Sequence, residues 1–438
     1  MVSFTLNSNK TTYTGDLEKN LLEFLRKEKF LTAAKDGCSG QGVCGACSVE
    51  IDGKIKMACR VKMKDTEGAT INTLEGLSQE FKSVLGKHFA QKGAVQCGFC
   101  SPGMIMRAKG LYNANPTPTR NDIIRAISPN LCRCTGYVKI IDAIEISFKE
   151  LQGEKVEENK VTAKVGDRYP KYQAVETALG ERAFVDDMHF DGMLHSALKF
   201  SDYPKAKVLK IDTTDALKVD GVVKIFTAKD IPGNHISGLI FQDWPLMIGI
   251  GETTRYIGDV IAGVVATTED IARKAVELIK IDYEVFEPVT DMLEAAKPNS
   301  PNVHPGRSNV LETCSIRFGD VEKAFAEAAW TSSDIYETQR IEHAFLETET
   351  AIALPEDDGI RLYTQGQGVY SDRKQIAKIL NLPEEKVKVT LVQNGGGFGG
   401  KEDLTVQGHV SMFAYLLQMP VKLHFTRDES IKDRKSVV

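Results

Sequence analysis

Eight of the nine cysteines of this chain lie within its first 134 residues, in two groups with short internal spacings. The first group is Cys38, Cys44, Cys47 and Cys59, and the second is Cys97, Cys100, Cys132 and Cys134. One 2Fe–2S cluster needs four cysteine thiolates, so the eight cysteines predict two clusters. The front of the chain is therefore expected to be an electron-transfer module that receives its electrons from chemistry in the remaining residues.

Other uses of these cysteines fit the sequence less well. A disulfide framework needs an oxidising compartment, yet the N-terminus lacks the apolar region of a signal peptide. Structural zinc is the main alternative for any C-x2-C pair. In the first group Gly37, Gly40, Gly42 and Gly45 interleave three cysteines, as a loop requires if its backbone N–H groups are to reach cluster sulfurs. For the second group alone, zinc and iron–sulfur both stay open, and Cys314 is expected to be an ordinary buried or free thiol.

Composition excludes several classes of protein. A length of 438 residues predicts two to four domains. The net charge of −5 argues against a nucleic-acid partner. The longest apolar stretches, such as VIAGVVA, are too short to span a bilayer. Together with reduced cysteines, these properties predict a cytoplasmic protein without a membrane partner.

Apolar spacing and turn residues predict the secondary structure of the first unit. Strands are expected at residues 3–6 and 11–14, and a helix should follow. The apolar face of that helix is expected to carry Leu17, Leu21, Leu22 and Leu25. Asp52-Gly53 predicts a hairpin turn that returns Cys59 toward the first cysteine loop. This order favours a β-grasp, ferredoxin-like domain over residues 1–76.

The second unit, residues 77–152, is predicted to be a four-helix bundle with its cysteines at helix ends. Pro102 stands where the first turn of a helix tolerates proline. Thr119 and Asp122 have the spacing of a capping box. An amphipathic stripe runs from Tyr137 to Leu151.

Beyond the bundle the chain changes character. Residues 153–166 are charged and predict a linker. In the mixed α/β stretch 167–290, VIAGVVA is expected to be a buried strand and Thr268 to cap the next helix. A last domain is expected over 310–438, with strands IRLYTQ and VKVTLV around a helix near 372–380. The whole chain is thus predicted to be an α+β multidomain protein.

The loop GGGFGGKE at 395–402 directly follows the strand VKVTLVQN. Its glycines allow successive backbone N–H groups to cradle an anion. Alone, the pattern is equally typical of a tight structural turn, because it lacks the ending of a P-loop and the spacing of a dinucleotide-binding loop.

Five motifs in order are far more specific: GVCGAC, QCGFCSPGM, LCRCTGY, EHAFLE and GGGFGGKE. Together they resemble the molybdenum hydroxylases, the family of xanthine dehydrogenases and aldehyde oxidoreductases, over almost the whole chain. The resemblance implies two 2Fe–2S clusters and a molybdenum held by molybdopterin, alone or as its cytosine dinucleotide, with no protein ligand to the metal. It implies that water supplies the oxygen added to a substrate carbon and that electrons pass through both clusters to an acceptor. It also implies an α/β hammerhead domain over 167–290 and an incomplete molybdopterin-binding domain over 310–438.

The resemblance assigns roles residue by residue. The second cysteine group matches the cluster nearer the molybdenum, and the first group matches the cluster nearer solvent. Gln96 matches a glutamine that contacts the pterin. Gln365 matches a glutamine beside the metal's oxo group, with Gln367 as a competing register. The backbone of Gly397, Phe398 and Gly399 matches the loop that touches the molybdenum end of the cofactor.

Three features depart from the family pattern. Five residues separate Cys38 from Cys44, where the spacing is usually four. The linker leaves no room for a flavin domain, so the acceptor is expected to be a separate flavoprotein or another partner. The chain stops at Val438, before the glutamate that acts as base, so no catalytic base is assigned. It is therefore expected to be completed by a second chain, or else to be a truncated, non-catalytic electron-transfer piece.

Glu402, directly after GGGFGGK, bears on the substrate. In xanthine dehydrogenases a glutamate here faces the purine ring, and a carboxylate can accept a ring N–H or donate if protonated. The resemblance therefore implies a purine or related N-heterocycle as the small-molecule substrate, with Glu402 as a catalytic residue. An aldehyde is the alternative substrate, and a surface glutamate favoured by a helix dipole is the structural alternative.

Overall fold

The computed structural model describes residues 1–156 and 162–433. The expected linker therefore lies partly outside the described residues, as does the ending 434–438. The fold is α+β and multidomain, as predicted. None of the helices in the described ranges has the length and apolar character needed to cross a membrane.

The first unit contains β1 (Val2–Leu6), β2 (Asn9–Tyr13), α1 (Leu21–Glu23), β3 (Ser48–Ile51), β4 (Lys54–Met57) and β5 (Thr70–Asn72). The strands form one sheet in the order β2-β1-β5-β3-β4. The predicted hairpin is confirmed, with Asp52 and Gly53 both at positive φ. The helix predicted to include Leu17 is shorter, because the side chain of Asn20 accepts the N–H of Glu23 at 2.9 Å and starts the helix there. Leu17 lies in the preceding turn.

The second unit is a four-helix bundle, as predicted. Its helices are α2 (Gln79–Lys92), α3 (Ser101–Ala114), α4 (Arg120–Ile127) and α5 (Val138–Leu151). Pro102 lies in the first turn of α3, and Thr119 and Asp122 form the predicted capping box at α4. Phe89 and Ile144 are fully buried between the helices.

The remaining described residues form eleven strands and seven helices. The elements up to residue 300 are α6 (Ala174–Ala178), β6 (Leu194–Phe200), β7 (Ala206–Asp212), β8 (Val222–Thr227), β9 (Ile236–Ser237), β10 (Trp244–Pro245), β11 (Val260–Ala266), α7 (Glu269–Glu277), β12 (Lys280–Val285) and α8 (Met292–Ala295). Those beyond it are α9 (Val321–Glu327), β13 (Thr350–Glu356), β14 (Gly359–Thr364), α10 (Val369–Leu380), β15 (Val387–Leu391), α11 (Gln407–Leu417), β16 (Val421–His424) and α12 (Arg427–Lys432). Thr268 caps α7 as predicted, and β11 is buried along its whole length.

One seven-stranded sheet joins both parts of this region, in the order β15-β14-β13-β16-β6-β11-β8. It crosses the boundary expected near residue 310, because β16 pairs in parallel with β6. Strands β14 and β15 are also parallel, with Thr364 opposite Leu391. Their carboxyl ends therefore meet at one edge of the sheet, which brings the TQGQG stretch beside the glycine loop.

Buried polar contacts hold the iron–sulfur unit, residues 1–152, against the rest. Arg26 donates to Asp186 at 2.7 Å and to Asp187 at 2.9 Å. In the opposite direction, Arg427 of the C-terminal region donates from its guanidinium to the carbonyl of Gly37 in the iron–sulfur unit at 2.9 Å. Fully or largely buried, hydrogen-bonded charges of this kind fix the relative orientation of the parts they join.

Residues 310–341 differ from the packed regions around them. The segment has one short helix, α9, and exposes large apolar side chains, including Phe318 at 94% and Trp330 at 84%. Cys314, expected to be a buried or free thiol, is exposed. This segment therefore adds little to the core that positions the site.

Candidate functional site

Three cysteines of the first group lie in the loop that precedes β3, and the hairpin of β3 and β4 returns Cys59 to them in the turn Ala58–Arg60. Cys38 is hydrogen-bonded to Cys44 and Cys47 to Cys59, and all four are buried. The contact with Cys44 lowers the pKa of Cys38 to about 5, and the contact with Cys38 raises the pKa of Cys44. A compact set of four sulfur donors fits a 2Fe–2S cluster. The additional residue between Cys38 and Cys44 does not prevent this convergence.

The second group forms a similar set between the bundle helices. Cys97 contacts Cys134, and Cys100 contacts Cys132. Cys132 and Cys134 also contact each other. The Cys132 sulfur also lies 3.1 Å from the hydroxyl of Thr135. Four sulfur donors fit a second cluster equally well, and a hydroxyl beside a sulfur is one of the contacts that tune a cluster's potential.

The two cysteine loops are in direct contact. Asn130, two residues before Cys132, donates from Nδ2 to the carbonyl of Gly45 at 2.8 Å, and Leu131 N–H donates to the carbonyl of Cys44 at 2.8 Å. A Cβ at Gly45 would lie 2.4 Å from the Asn130 Oδ1. Gly45 has φ of +68° as well, so this position needs glycine for both reasons. The contact sets the spacing between the two thiol sets.

Two glutamines follow β14 and differ in their surroundings. Gln365 is 2% exposed, donates from Nε2 to the carbonyl of Thr348 at 2.6 Å, and accepts from Lys401 Nζ at its Oε1. Gln367 is exposed and braces the glycine loop, because its Oε1 accepts the N–H groups of Gly399 and Lys401 at 3.1 and 3.2 Å. Gln365 therefore supplies a buried neutral amide, whereas Gln367 shapes the loop.

The glycine loop presents unused donors. In the described part of the chain, the N–H groups of Gly396, Gly397 and Phe398 have no acceptor. Phe398 has φ of +54° and is 46% exposed, and Gly396 and Gly399 also have positive φ. Successive N–H groups in such a turn form a concave site for an anionic or strongly polar group. These donors fit a molybdopterin.

A buried ion pair beneath the loop was not predicted from the sequence. Lys401 and Glu347 are each 2% exposed, with Nζ and Oε2 3.6 Å apart. Burial raises the pKa of Glu347 to about 7 and lowers the pKa of Lys401 to about 8. Glu347 also accepts the N–H of Gly395 at 2.5 Å. Both residues stand in motifs singled out above, but only the fold reveals that they meet.

The second cysteine loop abuts the start of the glycine loop through Gln393. Its Nε2 donates to the carbonyl of Cys97 at 2.8 Å, and its Oε1 accepts from the hydroxyl of Thr177 at 3.4 Å. Gly98 packs closely against Thr177, because a Cβ at Gly98 would lie 2.1 Å from the Thr177 methyl group. Gln96, the predicted pterin contact, has an exposed side chain, and its carbonyl accepts from Lys171.

Glu402 is exposed and lines an open cleft of about 640 Å³ beside the loop. Gly399, Asp403, Phe241 and Arg340 also line it. The carboxylate of Glu402 is thus accessible to a small molecule that enters from this side.

Comparison with known families matches each part of the chain. Residues 12–83 match the 2Fe–2S iron–sulfur cluster binding domain, and residues 73–145 match the 2Fe–2S binding domain. Residues 179–287 match the a/b hammerhead domain of aldehyde oxidase and xanthine dehydrogenase. Residues 303–436 match the molybdopterin cofactor-binding domain. The chain therefore carries binding domains for two 2Fe–2S clusters and for molybdopterin.

Individual relatives belong to the same family as these domains. The aldehyde oxidoreductase of Megalodesulfovibrio gigas is 34% identical over 443 residues, covering 96% of this chain and 49% of that protein. The solved structure of the aldehyde oxidoreductase from Desulfovibrio gigas covers all of this chain and 51% of its own, with a TM-score of 0.90 and 31% identity. The nicotinate dehydrogenase small FeS subunit of Eubacterium barkeri is 44% identical over 149 residues, which are 34% of this chain and 94% of that subunit. The chain thus spans about half the length of the aldehyde oxidoreductases it matches.

Proposed function

Because the chain belongs to the molybdenum hydroxylase family of xanthine dehydrogenases and aldehyde oxidoreductases, we propose that it hydroxylates a purine or related N-heterocycle. Bound molybdopterin would supply the redox chemistry, with water as the source of the added oxygen. The observation that carries the proposal is that Gln365, the glycine loop and Glu402 lie at one sheet edge, beside the loop of Cys97.

The residues of this edge have distinct proposed roles. The N–H groups at Gly397 and Phe398, with that of Gly399 held by Gln367, would face the molybdenum end of the cofactor. Gln365 would offer a neutral amide that stabilises a polar group without adding a titrating charge. Gln96, whose side chain is exposed, would contact the pterin.

Glu402 would orient the substrate from the cleft. Its carboxylate can accept a ring N–H, or donate if protonated, and so stabilise charge that develops on a heterocycle. A polar contact of this kind discriminates against a molecule that lacks the partner, since a carboxylate without one is left desolvated.

Electrons would leave the site through the second cysteine group and then the first. Gln393 joins the glycine loop to Cys97, and Asn130 joins the second group to Gly45 of the first. A separate flavoprotein or another acceptor would take the electrons. Eight thiolates reserved for iron need a reducing compartment, which is the basis for proposing a cytoplasmic enzyme.

An aldehyde is the second candidate substrate, and the match to the aldehyde oxidoreductase in sequence and in structure favours it. A non-catalytic electron-transfer role is the third. It differs from both in requiring iron alone, whereas a hydroxylase requires molybdenum and iron together.

The test is metal analysis of the assembled protein, followed by turnover of xanthine, hypoxanthine and a set of aldehydes. We expect molybdenum in near-stoichiometric amount and purine turnover that falls about 100-fold in Glu402→Val. The control is Glu385→Val, which makes the same change in an exposed turn after α10 and should leave purine turnover at the wild-type level. Aldehyde turnover that exceeds purine turnover and is indifferent to Glu402 would establish the second candidate instead, and iron without molybdenum the third.

A further inference from the structure

The ammonium of Lys401 is buried and points at the residues proposed to surround the cofactor. Its Nζ donates to the carbonyl of Glu347 at 2.8 Å and to the Gln365 Oε1, and it lies 4.2 Å from the centroid of the Phe345 ring. A buried charge is costly by several kcal/mol unless it is paired and hydrogen-bonded. The loss of any of these contacts would therefore destabilise the buried ammonium.

The contact with Gln365 determines which way the amide of that residue points. An ammonium has donors only, so it accepts nothing from an amide NH2 and binds the amide oxygen. At the other end, Nε2 donates to the carbonyl of Thr348 at 2.6 Å. A flipped amide would place its oxygen against that carbonyl and its NH2 against the ammonium. Lys401 thus permits one orientation and leaves the second Nε2 proton as the donor available to a ligand.

The contact with Glu347 reaches the first turn of the glycine loop. Glu347 accepts the N–H of Gly395, and a Cβ at Gly395 would lie 2.3 Å from the Glu347 Cβ. The backbone of Lys401 is fixed as well, because its N–H donates to Gln367 and its carbonyl accepts from Gln367 N–H at 2.7 Å. Lys401 therefore connects the glutamines after β14 to the end of the glycine loop through its own backbone, and to the start of the loop through Glu347.

We propose that Lys401 is a positioning residue of the molybdopterin site, which fixes the amide of Gln365 directly and the start of the glycine loop through Glu347. This inference rests on the proposed function, and it adds two residues to those that the family resemblance implies. Lys401 acts through other groups, and neither residue of the pair touches substrate in this assignment.

The experiment uses the assembled enzyme and the double variant K401M/E347Q, which removes the ion pair without leaving an unpaired buried charge. We expect both iron–sulfur EPR signals and the melting temperature to stay close to wild type. The molybdenum(V) EPR spectrum should change, and kcat should fall about 10- to 100-fold, because a small misplacement near reacting groups has effects of this size.

The control is K388M/E356Q, an ion pair on the same sheet in which Lys388 Nζ lies 3.0 Å from Glu356 Oε1. Neither of its residues is hydrogen-bonded to Gln365 or the glycine loop in the described chain. An unchanged molybdenum(V) spectrum in K401M/E347Q overturns the proposal, as does an equal change in the control. Wild-type enzyme without molybdenum overturns it together with the proposed function, and that result is recognised before any variant is made.

If the double variant does not assemble, Glu347→Gln alone gives the answer. It keeps the size of the side chain and an acceptor for the N–H of Gly395 while it weakens the tie to Lys401. A molybdenum(V) spectrum that shifts supports the link from Lys401 through Glu347 to the glycine loop, and a wild-type spectrum overturns that link of the proposal.

Discussion

Gln393 donates a hydrogen bond from its side-chain Nε2 to the backbone carbonyl of Cys97 at 2.8 Å. The bond joins the end of β15, where the glycine loop begins, to the loop that carries the second thiol set. Gln393 is 4% exposed, so the carbonyl of Cys97 has little access to water as a replacement partner.

Replacing Gln393 with leucine should slow electron transfer into the clusters. The substitution leaves a buried carbonyl unsatisfied, which costs about 1–3 kcal/mol and loosens the contact. Stopped-flow absorbance should show slower cluster reduction by substrate, with iron content unchanged. Gln339→Leu, in an exposed stretch, should reduce at the wild-type rate. Equal rates in both variants would show that the bond does not influence transfer.

Cys134→Ser should remove one cluster and preserve the other. The four thiols around Cys134 form a separate set from those around Cys38. Iron should fall from about four atoms per chain to about two, and one of two reduced-cluster EPR signals should persist. Zinc in place of iron in freshly isolated anaerobic protein would contradict the assignment of both sets.

Gly45→Ala should weaken the contact between the two cysteine loops. The new Cβ would lie 2.4 Å from Asn130 Oδ1 and would also sit at positive φ. Gly40→Ala is the matched control, since its φ is +76° and nothing lies within 4 Å of a Cβ there. We expect a loss of about 1 kcal/mol in the control from strain alone and a clearly larger loss in Gly45→Ala, measured by thermal unfolding. An equal loss of stability in the two variants would mean that the Asn130 side chain moves away from the new methyl group without destabilising the protein.

Asp372→Asn should stabilise the protein at alkaline pH. Asp372 is fully buried, and neither of its carboxylate oxygens has a hydrogen-bond partner among residues 1–156 and 162–433. Burial raises its pKa to about 7, with Asp403 adding to the effect. The folded state therefore holds this proton more tightly than the unfolded state, where the pKa is about 3.9. Stability from this group is present below about pH 4 and is lost as pH rises through about 7.

Asparagine resembles the protonated acid, so the variant should gain about 4 kcal/mol relative to wild type near pH 8.5 and little near pH 4. Thermal melts across this range measure the difference. Asp358→Asn, an exposed carboxylate paired with Lys386, should show no gain at pH 8.5. A pH-independent difference for Asp372→Asn would show that the carboxyl is not the titrating group.

Limited proteolysis should cut first between residues 152 and 166, because that charged segment offers little apolar surface to bury. The two products should co-elute in gel filtration, held by Arg26 to Asp186 and by Arg427 to Gly37. First cleavage within residues 1–150 would show that the boundary is misplaced. Separation of the products would show that these contacts are too weak to hold the parts.

Local signals in the sequence predicted local structure well. Thr119 and Asp122 cap α4, Thr268 caps α7, and Pro102 begins α3, because each depends only on residues within one helical turn. The exception is Leu17, which has helical spacing but lies before the Asn20 cap, so capping chemistry overrode apolar periodicity.

Contacts distant in sequence could not be predicted in this way. Lys401 and Glu347 meet across 54 positions. They do so because β13 runs antiparallel to β14, which puts the start of β13 beside the end of β14, and because β15 runs parallel to β14 and ends at the same edge. The pairing of β16 with β6 joins two regions that composition separates. The motifs indicated which residues matter, whereas the sheet determines which of them touch.

The salt bridge of Arg26 with Asp186 and the bond of Arg427 to Gly37 join groups far apart in sequence, so neither contact requires a peptide link between the two parts. A relative carries the counterpart of the iron–sulfur unit as a small subunit. Gene fusion or fission at this junction would therefore leave the interface intact. One gene or two could then encode the same junction between the iron–sulfur unit and the rest.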